Sequence, residues 1–151
     1  MSGTVRNQVF ISYSHQDRQW LDRVQTALKP LVRNQTIDVW DDGRIKAGQK
    51  WRDEITRALA RAKVAVLLVS QNFLASDFIA DEELLSILAA AEDEGLTIVW
   101  IPVTASLYDE TDIAKYQAAH NPESPLDSLP PAELNQALVA IAKKIGDAAN
   151  P

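Results

Sequence analysis

The residues of this chain that could do chemistry gather where apolar runs end. Val9, Phe10, Ile11, Ser12 and Tyr13 form a run of β-formers that breaks at once into Ser14, His15, Gln16 and Asp17. Hydroxyls, an imidazole and a carboxylate just past a strand are equipped to hold a polar ligand. Backbone N–H groups at the start of the following helix could receive an anionic group there. The same four residues also make an ordinary strand-to-helix turn with Asp17 as its N-cap. Two more stretches end alike. TIDVWD (36–41) runs into the polar loop DDGRIKAGQK, and VAVLLVS (64–70) stops at Ser70.

The bulk composition narrows the ligand class. The chain has 151 residues, 46% hydrophobic and 24% charged, which fits one domain with one core. A formal net charge of −6 argues against nucleic acid, because phosphate backbones need a basic face. There are no cysteines, so neither a disulfide framework nor a thiolate metal site is available. The only histidines, His15 and His120, lie far apart in the sequence, and no metal is expected. MSGTVRNQ lacks a signal pattern, Ser2 breaks the myristoylation pattern, and no apolar run nears the roughly 18 residues of a membrane span. A cytoplasmic location is expected.

The elements that must position these residues follow from periodicity. Strands are expected at 8–13, 36–41, 64–70 and 96–103. The unbroken apolar, valine-rich run that leads to Ser70 is the mark of a strand covered on both faces. Helices are expected from Asp17 to about Lys29, stopped by Pro30, then from Trp51 past Leu59, over most of 72–94, and over 132–146. Trp40 and Trp100 read as core and His120 as surface. A short fifth strand is expected near 115–118. Alternating strands and helices imply a parallel sheet covered on both faces. Such sheets bind ligands beyond the carboxyl ends of their strands, where the polar cluster, the Asp41 loop and Ser70 all fall.

Familiar motifs of that edge are missing. There is no GxGxxG, no GxxxxGK[ST] and no GxSxG, and the third strand ends in Ser70 where a phosphoacceptor domain would want Asp. What is present is VFISYSHQD, then VWDDGRIKAGQKW, then VAVLLVSQNFLASDFIADEEL, in that order. Together they resemble the Toll/interleukin-1 receptor (TIR) domain family over nearly the whole chain. KYQAAHNPESPL is similar to bacterial members. The resemblance implies a flavodoxin-like three-layer α/β/α sandwich with a parallel five-stranded sheet. It also implies a single TIR domain over 1–151, with its core at about 8–146. The closing GDAANP reads as the start of a linker, so a larger multidomain protein with a sensor or oligomerising domain is expected.

The family divides into scaffolds that associate with other TIR domains and enzymes that hydrolyse NAD, and both classes stay open here. As an enzyme, the chain would release nicotinamide and leave ADP-ribose or a cyclic form, with NAD as substrate and no cofactor. Self-association would activate it, and bacterial antiphage defence is the implied role. The bond joins ribose to a cationic pyridinium, so nicotinamide leaves neutral and no general acid is needed, unlike ordinary glycoside hydrolysis. A carboxylate beside the ribose stabilises the oxocarbenium-like transition state. The resemblance points to Glu82 as that carboxylate, with Phe78 four residues earlier where enzymatic relatives usually carry Trp. The i, i+4 spacing sets both on one helical face, and a wheel at about 100° per residue sends Glu83 to the far side of a stripe with Leu85 and Leu88. The alternative is that Glu82 is a solvated surface acid. Ser76 is the expected cap of that helix. Tyr13, Ser14 and His15 match positions near ribose and diphosphate. Asp41, Arg44 and Trp51 match the loop that lines the site in enzymes and makes TIR–TIR contacts in scaffolds.

Overall fold

The central strand explains the architecture. Ala62–Val69 (β3) is apolar on both sides, and it sits in the middle of a parallel sheet with Gln8–Ser12 (β1), Asp38–Trp40 (β2) and Thr97–Pro102 (β4). The order is β2-β1-β3-β4, read from a computed structural model that describes residues 8–41 and 50–151. The fifth strand reduces to one parallel bridge, Trp100 with Ala118, backed by Ala119 N–H donating to the Trp100 carbonyl at 2.8 Å. The segment therefore stands where a fifth strand would. It stays that short between the 3-10 turn Asp112–Lys115 and the proline-bearing stretch that follows.

The alternation of β3 sends its side chains to two separate cores. Val64, Val66 and Leu68 pack with Leu21, Val24 and Leu28 of Arg18–Arg33 (α1) and Leu138, Ile141 and Ile145 of Pro131–Ala149 (α5). Ala65, Leu67 and Val69 face Ile55 and Leu59 of Trp51–Arg61 (α2), Phe73 of Gln71–Ala75 (α3), and Leu84 and Ile87 of Leu84–Asp93 (α4). The result is three layers, helix on sheet on helix. Trp40 and Trp100 are buried in the second core, where Trp40 stacks on Phe10 with centroids 5.0 Å apart. His120 is half-buried, its Nε2 2.9 Å from the Ser124 carbonyl oxygen. No helix among the described residues is long and apolar enough to cross a membrane.

Two helix boundaries differ from the periodicity reading. α1 does not stop at Pro30 but carries it inside and ends at Arg33. Proline's fixed φ is helical, and its missing N–H costs only one bond near the helix end. The stop is set instead by Gln35, whose φ is +63°. Its N–H bonds the Val32 carbonyl at 3.1 Å and Thr36 N–H bonds that of Leu31 at 2.9 Å, the paired closure of a Schellman motif. The helical run over 72–94 is broken: α3 ends at Ala75, and a π turn, Ile79–Glu83, leads into α4.

Candidate functional site

A cleft of about 440 Å³ opens where the sheet logic places it, beyond β1 and β3. Its first wall is the turn after β1. Tyr13 is buried with its ring 5.4 Å from that of His15, and Ser14 caps a one-turn 3-10 helix, His15–Asp17, by accepting from Gln16 N–H at 3.4 Å. Its second wall follows β3. Ser70 caps α3, accepting from Phe73 N–H at 3.0 Å, and Asn72 and Ala75 of α3 line the opening. Ser76 caps the next segment through its Oγ, 3.3 Å from Ile79 N. Phe78, Ile79 and Glu83 complete the lining.

The structure thus brings together Tyr13, Ser14, His15, Ser76 and Phe78, the residues that the turn and the helix start were read to supply. Glu82 is not among them. It points to α2, where Arg52 Nη2 donates to its Oε1 at 3.1 Å, and its side chain is 43% exposed. The acid on the cleft is Glu83, 7% exposed. Glu83 also borders a smaller cavity of about 210 Å³ against Arg52, Ile55 and Ser86, so it stands between two openings.

The π turn accounts for the reversal. In a regular α-helix, residues five apart point roughly 140° away from each other at 100° per residue. The Leu84 N–H bonds the Ile79 carbonyl, an i→i+5 closure whose wider turn brings Phe78 and Glu83 round to one cleft. The buried stripe then runs through Ile79, Glu83, Leu84, Ile87 and Ala90, and Leu85, expected inside it, is 58% exposed. Anchoring the wheel on Ile79 in place of Phe78 would have found Glu83, four residues before Ile87.

Asp41, at the end of β2, accepts from Gln25 Nε2 at 2.8 Å and is not part of the cleft lining. Trp51 opens α2. Arg44 lies outside the described residues. Asp17 makes no cap bond to α1. Its carboxylate accepts from Ser70 Oγ and, at 2.9 Å, from Asn72 Nδ2, which ties the two walls together. Gln16 and Asn72 were missed as lining residues, although both follow strand ends, which was signal enough. Among the described residues no group of three or more metal-ligating side chains converges.

Comparison with known proteins agrees with this frame. A family model described as TIR domain matches residues 9–129. The protein y4lF of Sinorhizobium fredii is 28% identical over 141 residues, covering 93% of this chain and 43% of y4lF. The disease resistance protein RML1A of Arabidopsis thaliana is 30% identical over 104 residues, 66% of this chain and 10% of that protein. The chain therefore spans less than half the length of either. Among solved structures, the TIR domains of the activated Roq1 resistosome, which directly recognises the pathogen effector XopQ, share the fold at a TM-score of 0.54 and 21% identity over 91% of this chain and 84% of that one. With its sequence matched from the start of the first strand to the segment before the last helix, the chain belongs to the TIR domain family.

Proposed function

We propose that this TIR domain hydrolyses NAD at the nicotinamide–ribose bond and that Glu83, not Glu82, is the carboxylate that acts. The observation that carries the reading is the convergence of one buried acid, an aromatic ring and a hydroxyl-bearing turn on a single cleft at the carboxyl edge of the sheet. Phe78, 38% exposed, offers a face on which the pyridinium stacks. Glu83 lies where it can hold the ribose hydroxyls and stabilise the positive charge that grows at the anomeric carbon. The C–N bond breaks with its electron pair passing to the ring nitrogen, so nicotinamide departs neutral. Water adds to the anomeric carbon and loses its proton, leaving ADP-ribose. Ser14, His15 and the N–H groups behind them receive the diphosphate.

Activation by self-association is part of the proposal. Its support is the likeness to TIR domains of an activated resistosome and the partial coverage of longer relatives. The test is nicotinamide release by the concentrated domain with a crowding agent. Wild type and Glu82→Gln are expected to release it, and Glu83→Gln to fall by about 10²–10³-fold, the usual cost of removing one preorganised charge-stabilising group. Loss in Glu82→Gln with retention in Glu83→Gln would reverse the assignment. No release by any protein, even fused to an oligomeriser, would favour a non-catalytic TIR–TIR scaffold.

A further inference from the structure

Behind the lining residues Gln16 and Asn72 of the cleft lies a carboxylate that the proposed reaction does not use. Asp17 is 5% exposed at the carboxyl ends of β1 and β3. One of its oxygens accepts from Ser70 Oγ–H and the other from Asn72 Nδ2–H at 2.9 Å. Ser70 Oγ in turn accepts from Phe73 N–H at 3.0 Å, so Ser70 is fixed from both sides. Nothing in helix capping requires this arrangement, since Asp17 makes no cap bond to α1.

A carboxylate offers only acceptors, so Asn72 must turn its –NH₂ toward Asp17. The planar amide then carries its carbonyl oxygen, Oδ1, on the other branch. Asn72 is an exposed residue on the cleft that also holds Phe78 and Glu83. A residue on the cleft lining thus carries an acceptor whose orientation is set by Asp17.

We propose that Asn72 is a specificity-determining residue whose Oδ1 accepts a hydrogen bond from an uncharged carboxamide on the ligand and disfavours a carboxylate in its place. Asp17 is the positioning residue that sets the amide and touches no ligand itself. The inference rests on reading the cleft as the NAD site. A nicotinamide N–H can donate to Oδ1. A nicotinate carboxylate at the same place has no donor to give and sets lone pairs against lone pairs, which leaves a desolvated acceptor unpaired.

The test compares kcat/KM for nicotinamide release from NAD with that for nicotinic acid release from the carboxylate analogue, nicotinic acid adenine dinucleotide. Differences in intrinsic reactivity cancel when this ratio is compared between proteins. Asn72→Ala is expected to lower the amide-to-acid preference about tenfold, chiefly through the KM of NAD. Asp17→Asn, whose own –NH₂ can donate to Asn72 and let it turn over, is expected to lower the preference as well. An unchanged ratio in Asn72→Ala overturns the proposal, and this exposed site decides it even if Asp17→Asn fails to fold. Should the wild type cleave neither compound, the NAD reading falls on its own. The Asn72 side-chain amide resonance in ¹⁵N-labelled protein, titrated with nicotinamide and then with nicotinate, still judges the inference. A shift with nicotinamide alone supports it, and equal shifts or none overturn it.

Discussion

A carboxylate helps a developing cation only if it is held in place and partly sheltered from water. Glu83 meets both conditions because the stripe it shares with Ile79, Leu84 and Ile87 is packed against the sheet. Glu82 is held on the α2 side, away from the cleft, in a pair with Arg52 that is solvent-exposed, so Glu82→Gln is expected to change stability by about 0–1 kcal/mol in a denaturant titration. Removing the ring in Phe78→Ala should raise the KM for NAD more than it lowers kcat, since a stacking wall binds substrate and transition state alike. Asp17→Ala should lower stability by about 1–3 kcal/mol by leaving Ser70 and Asn72 without their acceptor, measurable as a shift in thermal midpoint. Tyr13, Ser14, His15 and Ser76 were legible as lining positions because they flank element ends, and Phe78 because the family resemblance marks an aromatic four residues before a glutamate. The choice between adjacent glutamates was not, because it turns on one hydrogen-bond register that residue type does not encode. The partners of Asp17 were hidden for another reason: they lie 53 and 55 residues away.

At the scale of elements, two departures from regular geometry carry predictions. Gln35 closes α1 from the left-handed region, where an L side chain crowds its own backbone. Gln35→Gly should therefore stabilise the protein by about 0.5–1 kcal/mol in chemical denaturation, less whatever glycine's freer unfolded chain returns. The π turn is the second. Deleting Asp81, an exposed residue within it, would leave Phe78 and Glu83 four apart, the spacing that shares a face in an ordinary α-helix. The deletion is expected to keep the cleft and the nicotinamide release, and loss of both with the fold intact would show that the π turn itself is required. The strands were legible because β3 is apolar on every residue that both cores need. The run through Pro30 was not, since proline's ordinary meaning as a stop was outweighed by the packing of α1 on α5.

For the whole molecule, the two cores on opposite sides of the sheet should respond independently. Ile141→Val against α1 and Ile87→Val against α2 should each cost about 0.5–1.5 kcal/mol. Their double variant should match the sum within about 0.5 kcal/mol, as expected for distant sites. The crossing from β1 to β3 has a consequence in time. Its register joins Gln8 to Ala62 and Ser12 to Leu67, so a loop of more than fifty residues must close before the two strands pair. Asp17 comes from one side of that closure and Ser70, Asn72 and Glu83 from the other. In a refolding experiment, helical signal from α1 and α5 can rise early while the pocket does not yet exist in any partial form. Ligand binding should then recover in step with the slowest cooperative phase, and a nascent chain still short of residue 83 has a turn waiting for its opposite wall.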